Sequence, residues 1–526
     1  MLRPGGRQWC GARVAGVIVI AALVLSSCVA SVTGGARREG YAVVALQEAP
    51  DALDPTIASS FVGRMVFANM CEKLYDVDAG LNLVPQLAAA LPEITDGGRT
   101  YTIPLRPGVM FNDGTPMTAD AVVRSIQRHK SNKLSQRTSE LSSVSTIQAI
   151  GPLTIQLGLS KPFAPLTSIL ADRSGMVLSP AAVDRLGDKF AQNPVCVGPF
   201  QFESRPSADE INLVRSNDYY DRDKVHLPGV TFHAIPPSNV RAADLRAGDV
   251  DVIDRAAPQD LETIRDDPGL AVRPVTSLGY MGIDINIGNA DGADKPARAP
   301  DFALAQRKDL RKAFELSIDR TVLNKVVFNG AYVPDCTPLP PGPWAVRADC
   351  PRRDLAKARE LVRASGVPTP IPVKLMTANV PLYQQLCTLV QAMAKDAGFD
   401  VSVEPTDFAT GLARGRSGNF QAYFIGWSGR IDPDQNISQM VLPGSALNYA
   451  GTHNAQVNAM VTAARTSTDP AERRRIYTEL VGLLNDELGI VYLYHEVYVL
   501  GLRKKITGVD FFGDGLIRMK TARLEP

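Results

Sequence analysis

The chain has 526 residues and a nearly balanced charge, with 56 lysines and arginines against 55 aspartates and glutamates. A balanced charge provides no overall field to attract nucleic acid or an acidic partner, so a nucleic-acid-binding role is disfavoured. A chain of this length exceeds one hydrophobic core, and we expect it to divide into lobes. Helical and strand patterns alternate without a repeat of fixed period, which predicts an α/β architecture.

The N-terminus has the pattern of a lipoprotein signal peptide. Three arginines, Arg3, Arg7 and Arg13, precede the apolar run from Val14 to Leu25, and Leu25-Ser26-Ser27-Cys28 matches a lipobox with small residues before the cysteine. A single transmembrane anchor is the alternative, but the apolar run is shorter than the ~20 residues of a spanning helix.

We therefore predict that residues 1–27 are a signal peptide and that residues 28–37 comprise the lipidated Cys28 and a tether. Each acyl CH₂ group buried in the membrane contributes about 0.8 kcal/mol, so two or three chains hold a globular domain there. The predicted location is the extracytoplasmic face of the cell membrane.

The segment from Tyr101 to His129 predicts a strand, a tight turn and a capped helix in succession. Asn112-Asp113-Gly114 is typical of a turn, and Thr118 is a candidate N-cap for a helix that buries Val122 and Ile126. No catalytic group occurs in this pattern, which indicates a structural segment. Further helices are predicted to begin after the caps Asp309, Asp354 and Asp469.

The amino-acid sequence of this segment resembles the signature of family 5 solute-binding proteins, the extracytoplasmic receptors of ABC importers for peptides, nickel and related solutes. Further resemblances follow in the family's order along nearly the whole chain, which makes the match specific. The matching pieces are Leu105-Arg106-Pro107-Gly108-Val109, Phe111-Asn112-Asp113-Gly114, Gly198-Pro199-Phe200, Asn217-Asp218-Tyr219-Tyr220, Ser317-Ile318-Asp319-Arg320 and Asn448-Tyr449-Ala450-Gly451.

The resemblance implies a two-lobed fold of the periplasmic-binding-protein type (type II) with a ligand cleft between the lobes. By analogy with the larger members, residues 38–69, 198–276 and 500–526 form lobe I, residues 70–197 form a subdomain inserted in lobe I, and residues 277–499 form lobe II. Hinge closure around the ligand is expected to create the surface that the transporter recognises.

Five cysteines follow Cys28, and an extracytoplasmic location permits disulfides. Cys336 and Cys350 bracket a proline-rich loop. A disulfide between them would stiffen this loop and, by restricting the unfolded chain, stabilise the folded protein by about 3 kcal/mol. Cys71 and Cys196 fall at the two ends of the inserted subdomain and form a second candidate pair, with buried free thiols as the alternative. Cys387 is interpreted as a core residue.

The sequence provides little support for metal binding or catalysis. The five histidines show no HExxH motif, and neither C-x-x-C spacing nor a G-x-S-x-G nucleophile motif occurs. We expect no cofactor, no metal site and no enzyme activity. A nucleotide-binding G-x-x-x-x-G-K-[ST] motif is also missing from the sequence, so the ATPase is expected to be a separate subunit.

Information on specificity concentrates in the loop that contains Trp427 and Arg430. It resembles the family's W-x-x-D-x-x-DPD element, in which peptide-binding relatives use the first aspartate for the ligand's ammonium group. Arg430 occupies that position, and the loop is one residue shorter before Asp432-Pro433-Asp434. The peptide-type ammonium contact is therefore in doubt.

A guanidinium group matches a carboxylate bidentately, so Arg430 predicts an anionic group on the ligand. An internal salt bridge with Asp432 or Asp434 is the open alternative. Asp432 is also a candidate for a ligand ammonium, and the two residues together would suit a zwitterion. The other candidate ligand-binding residues are Trp427, Asn448, Tyr449, Ser60 and Phe61, whereas His495 is interpreted as structural.

The sequence thus predicts a lipid-anchored, monomeric receptor that captures a short peptide or a related zwitterionic or carboxylated solute and delivers it to an ABC permease. An opine, glutathione or nickel-chelate ligand is the first alternative. A surface sensory or adhesive lipoprotein without a transport role is the second.

Overall fold

The computed structural model describes residues 38–525, so the predicted signal peptide, Cys28 and the tether lie outside the described residues. Among residues 38–525, none of the helices combines the length and the apolar character needed to cross a bilayer. Two large mixed sheets and one smaller antiparallel sheet organise this part of the chain.

The first lobe is built on a seven-stranded sheet. The strand Ala42–Leu46 lies near its centre, is fully buried and pairs in parallel with a neighbour on each side, which explains its continuous apolar sequence. Helices Phe61–Met70, Ser238–Ala247 and Leu261–Arg265 pack on this sheet. The strand order is Leu270–Thr276, Val497–Arg503, Val252–Ile253, Ala42–Leu46, Gly229–Ala234, Glu210–Arg215 and Phe200–Ser207.

An antiparallel four-stranded sheet lies in the chain between the helix Phe61–Met70 and the strand Phe200–Ser207. The predicted helix packs on it as Ala119–Ser131, and the Thr118 hydroxyl accepts a hydrogen bond from the Ala121 amide, so the predicted cap is confirmed. The strands, in sheet order, are Glu93–Thr95, Thr100–Pro104, Thr154–Leu159 and Val144–Gly151.

The second lobe is built on a six-stranded sheet whose two faces are covered by helices. Its strands, in order, are Val333–Pro334, Ile490–His495, Tyr280–Ile285, Ala422–Trp427, Ile371–Ala378 and Phe399–Thr406. Its helices are Ala303–Gln306, Lys308–Ser317, Arg320–Phe328, Leu355–Ser365, Pro381–Lys395, Phe408–Ser417, Pro433–Val441, Ala455–Thr466 and Pro470–Glu487.

Two of the three predicted aspartate caps in this lobe are confirmed. The carboxylate of Asp354 accepts from the Lys357 amide, and that of Asp469 accepts from the Ala471 amide. The prediction for Asp309 is wrong, because the helix begins at Lys308, two residues before the expected start, and the Asp309 carboxylate instead pairs with Arg307.

The remaining elements are short. Three two-stranded ladders and a few helical turns complete the surface of the first lobe. The ladders are Tyr75–Val77 with Leu83–Pro85, Ile506–Thr507 with Arg523–Leu524, and Asp510–Phe511 with Ile517–Arg518; the α-helical turns are Leu166–Ile169 and Pro180–Leu186.

The chain passes between the two large sheets at two adjacent connections. Residues 277–279 lead from Leu270–Thr276 into Tyr280–Ile285, and Glu496 leads from Ile490–His495 into Val497–Arg503. The two connections lie side by side, because the Ser277 amide donates to the Glu496 carbonyl at 2.8 Å. The expected boundary between residues 499 and 500 falls inside a strand of the first lobe.

Two disulfides occur among the described residues, Cys71–Cys196 and Cys336–Cys350. The first joins the two ends of the region that contains the four-stranded sheet, and the second closes the proline-rich loop. Cys387 is a buried free thiol in the core of the second lobe. The two pairs are those named from the sequence.

Candidate functional site

The loop after the strand Ala422–Trp427 lies directly against the first connection between the lobes. A Cβ atom on Gly279 would come within 2.0 Å of the Trp427 carbonyl oxygen, and one on Gly429 within 2.1 Å of the Leu278 carbonyl carbon. Gly429 also has a φ of +76°, which favours glycine. Glycines at these two positions therefore allow the backbone of the loop to touch the connection.

Arg430 extends from this loop over the indole of Trp427, with its Cζ 4.8 Å from the ring centroid. Its Nη1 donates to the Gly429 carbonyl at 2.7 Å, and its Nε lies 3.8 Å from an Oδ of Asp172. It pairs with neither Asp432 nor Asp434, so the internal salt bridge considered from the sequence is not observed. Burial, together with the nearby Arg64 guanidinium, lowers the pKa of Arg430 to about 10.

Asp172 is the centre of a group of arginines, which we call the arginine cluster and which consists of Arg64, Arg137, Arg173 and Arg430. Arg64 donates to Asp172 at 3.1 Å. Burial alone would raise the pKa of Asp172, but the guanidinium groups of Arg64, Arg173 and Arg430 hold that pKa well below its usual value.

Positive charge is in excess within the arginine cluster. The second carboxylate in this region, Glu140, accepts from Arg137 at 2.7 Å and from the Ser174 hydroxyl at 2.5 Å. Four guanidinium groups therefore surround two carboxylates, and all six side chains are at most 15% exposed. Such a place is electrostatically suited to an additional anion.

Phe61 connects the arginine cluster to a second group of charged and aromatic residues. Its ring centroid lies 5.6 Å from the Cζ of Arg64 and 4.5 Å from the Cζ of Arg255. The Arg255 Cζ also lies 4.3 Å from the Tyr498 ring, which is 5.9 Å from the Phe61 ring. The backbone of Arg255 has a φ of +49°, an uncommon conformation for a residue with a side chain.

Glu496, in the second connection, belongs to the same group. Its carboxylate interacts electrostatically with Arg255, and Tyr332 and Tyr383 of the second lobe interact with both of these charged residues. Burial raises the pKa of Glu496, and the Arg255 guanidinium opposes that rise. We call this group the aromatic compartment; its members are Phe61, Arg255, Tyr332, Tyr383, Glu496 and Tyr498.

Four predicted ligand-binding residues are occupied by contacts within the protein. Asp432 is 2% exposed, and both its carboxylate oxygens accept from Arg473, at 2.7 and 2.9 Å. The amide of Asn448 bonds to both backbone groups of Thr452 at 2.9 Å. Both side chains are thus engaged within the protein, and their predicted contacts with a ligand stay predictions.

Ser60 and Tyr449 are occupied in the same way. The Ser60 hydroxyl caps the helix Phe61–Met70 and donates to Asp51 at 2.6 Å. Tyr449 is 4% exposed and stacks on Tyr423. Of the seven residues named from the sequence, Trp427, Arg430 and Phe61 are the ones that the structure brings together around the arginine cluster.

The loop closed by the Cys336–Cys350 disulfide contributes to the same region. Pro340 and Trp344 of this loop line a small cavity together with Arg430 and Asn436. Asp335 lies close to both sulfurs, but cysteines bonded to each other are not metal ligands. Asp335 instead pairs with the buried His495, whose other ring nitrogen contacts the Gly279 carbonyl, which supports the structural interpretation of His495.

The sequence did not indicate most of these residues. Arg64, Asp172, Arg255 and Glu496 are distant in the chain from the Trp427 loop and lie in no binding motif. The one available signal was that Glu496 ends the Tyr494-His495-Glu496 segment between two apolar, tyrosine-rich strands.

Solved structures share the whole architecture. The ABC transporter substrate-binding protein CtaP of Listeria monocytogenes has 20% identity and a TM-score of 0.81, with 93% of this chain and all of that chain covered. DppA from Helicobacter pylori, in complex with the peptide STSA, has 23% identity and a TM-score of 0.78, covering 92% and 98%. The fold is therefore that of a two-lobed binding protein of the periplasmic type.

Sequence comparison gives the family. The model of the bacterial extracellular solute-binding proteins, family 5, matches residues 82–448, and the chain belongs to this family. A glutathione-binding protein from Pectobacterium atrosepticum is 26% identical over 520 residues, which cover 96% of this chain and 98% of that relative. The predicted family and fold are thus confirmed.

Proposed function

We propose that this protein is the lipid-anchored receptor of an ABC importer and that it captures a short peptide or a related zwitterionic or carboxylated solute between its two lobes. Closure about the two adjacent connections brings the lobes together around the solute, and the closed form delivers it to a membrane permease. The receptor works as a monomer, is anchored through Cys28 and catalyses no reaction.

The arginine cluster is the observation that carries this proposal. Arg430 comes from the second lobe, whereas Arg64, Arg137 and Arg173 come from the opposite side of the cleft. A carboxylate held among them interacts with both sides at once and therefore favours closure. Charge-assisted hydrogen bonds to a carboxylate contribute about 1.5–3 kcal/mol each.

Relatives support the same class of solute. Glutathione, which the Pectobacterium relative is named for binding, is a short peptide-like compound with two carboxylates and one ammonium group. An agropinic-acid complex and complexes of nickel with histidine also occur among similar structures. The excess of guanidinium groups favours the carboxylated solutes among these.

Titration calorimetry on the full-length chain in detergent tests the proposal. We expect glutathione and alanyl-alanine to bind, and their C-terminally amidated forms to bind at least tenfold more weakly. The variant Arg430→Ala should weaken binding of the free acids by about 10- to 100-fold, because it removes a charge-assisted contact.

Arg475→Ala is a matched control, because Arg475 is exposed and, within residues 38–525, forms an ion pair only with Glu479 on its own helix. The proposal would be contradicted if the amidated and free forms bound equally, or if a strain lacking the gene took up the identified solute at the normal rate. The second result would favour a sensory or adhesive role.

A further inference from the structure

We propose that Glu496 binds the ammonium group of the captured solute inside the aromatic compartment. This inference rests on the proposed function and deepens it, because it assigns the cationic end of a zwitterion to a residue in the connection between the lobes. The arginine cluster then holds the anionic end, and both sites adjoin the ring of Phe61.

The Glu496 carboxylate has no direct partner among residues 38–525. Its backbone carbonyl accepts from Ser277, but its side chain forms no hydrogen bond or ion pair with a described residue. The Glu496 side chain is part-buried, and taking a carboxylate out of water without a partner costs free energy. A cation that arrives with the solute would provide the missing partner.

Arg255 does not fill that role. Its guanidinium lies within 4.5 Å of both the Phe61 and the Tyr498 ring, and the nearest carboxylate recorded for it is that of Asp254, at 4.0 Å. Its Nε hydrogen-bonds to no described residue. Arg255 therefore supplies a nearby positive charge, but it does not contact the Glu496 oxygens directly.

The surrounding rings suit an ammonium group. Tyr332, Tyr383 and Tyr498 lie within electrostatic range of Glu496. The rings of Phe61 and Tyr498 already contact a cation, the Arg255 guanidinium, at 4.5 and 4.3 Å, as the faces of aromatic rings attract cations. Tyr332 is fixed by stacking on Tyr494 at 5.5 Å, and Tyr383 by an edge contact with Phe424 at 5.4 Å. Rings that are already ordered cost little entropy when the solute binds.

Glu496 lies in one of the two connections between the lobes, which affects what a bound solute would span. Glu496 is the single residue between the strands Ile490–His495 and Val497–Arg503, and its backbone is bonded to the neighbouring connection. A solute that binds Glu496 and Arg430 together therefore spans the connection and the second lobe. Both charged ends of the solute would then be required for tight binding.

The experiment compares glutathione with N-acetylglutathione, which lacks the ammonium charge, by calorimetry on the full-length protein in detergent. We expect the wild-type protein to bind the acetylated probe 10- to 100-fold more weakly than glutathione. Glu496→Gln, which keeps the shape of the side chain, should lose most of its affinity for glutathione and bind the two probes about equally.

Glu479→Gln is the control, because Glu479 is exposed on the helix Pro470–Glu487. Equal affinity of the wild-type protein for the two probes would overturn this inference while leaving the proposed function intact. This comparison uses the wild-type protein alone, so it does not depend on whether a variant folds. An unchanged preference in Glu496→Gln would also overturn it. If the wild-type protein bound neither these probes nor alanyl-alanine, the proposed function itself would fail, and this inference with it.

Discussion

The Nε of Arg430 lies 3.8 Å from a carboxylate oxygen of Asp172, although the two residues belong to opposite sides of the cleft. The Ala164 amide makes a second crossing contact, donating to the Arg465 carbonyl at 2.8 Å. The two sides are therefore already in contact through charged and polar groups. Under the proposed function, a solute carboxylate that enters the arginine cluster would interact with guanidinium groups from both sides.

The ion pair between Asp432 and Arg473 predicts the effect of Asp432→Ala. Both side chains are at most 5% exposed, and their contact is bidentate. Removal of the carboxylate leaves a buried guanidinium unpaired, which costs about 3–5 kcal/mol. Urea denaturation should therefore show a large loss of unfolding free energy.

Two further variants complete that test. Asp486→Ala removes an exposed aspartate and should change the stability little. In the double variant Asp432→Ala, Arg473→Met, no unpaired charge remains, so part of the loss should be recovered. If Asp432→Ala unfolded like the wild-type protein but lost solute binding, Asp432 would be a ligand residue and the structural assignment would be wrong.

Local signals account for most of what the sequence predicted. The cap of Thr118, the helix from Ala119 to Ser131 and the loop after Trp427 depend on neighbouring residues, and all of them can be read from a short segment. The identity of the family came from ordered motifs of the same kind. These signals locate the elements but leave open which side chains meet across the cleft.

The site itself depends on contacts between distant parts of the chain. Nothing in the sequence near Asp432 indicates that its carboxylate pairs with Arg473, and nothing near Arg430 indicates that Asp172 is its neighbour. The partner of a charged residue is decided by how the lobes pack, so a motif that resembles a ligand contact can become a structural ion pair. Arg255 and Glu496 show the opposite case, because they lie in no motif and yet belong to the candidate site in the aromatic compartment.

His129 predicts a loss of stability in acid. It is completely buried, its Nε2 donates to the Met176 carbonyl and its Nδ1 accepts from the Thr56 hydroxyl, an arrangement that requires the neutral ring. Burial lowers the pKa of His129 from 6.5 to about 4. Between these values the unfolded chain binds a proton that the native protein does not, so the free energy of unfolding falls as the pH falls.

The expected contribution is about 3 kcal/mol lost between pH 6.5 and pH 4, at 1.36 kcal/mol per pKa unit. The free energy of unfolding, measured by urea denaturation at several pH values in this range, should depend less on pH in His129→Gln than in the wild-type protein. His226→Gln is the control, because His226 is exposed. An identical pH dependence in the wild-type protein and His129→Gln would show that the ring is not kept neutral by burial.

Gly279 predicts how strongly the Trp427 loop depends on its contact with the connection. In Gly279→Ala the new methyl group would lie 2.0 Å from the Trp427 carbonyl oxygen, a backbone atom that moves only if the loop moves. Overpacking of this kind costs about 1–3 kcal/mol. Because Arg430 is carried by the same loop, the affinity for glutathione should fall as well.

Gly482→Ala provides the matched control for that substitution. Gly482 lies within the helix Pro470–Glu487, and a Cβ atom there meets nothing within 4 Å, so the alanine should stabilise the protein by about 0.5–1 kcal/mol and leave binding unchanged. Urea denaturation and calorimetry on both variants separate the two effects. Wild-type stability and affinity in Gly279→Ala would mean that the loop and the connection tolerate separation, and that the position of Arg430 does not depend on their contact.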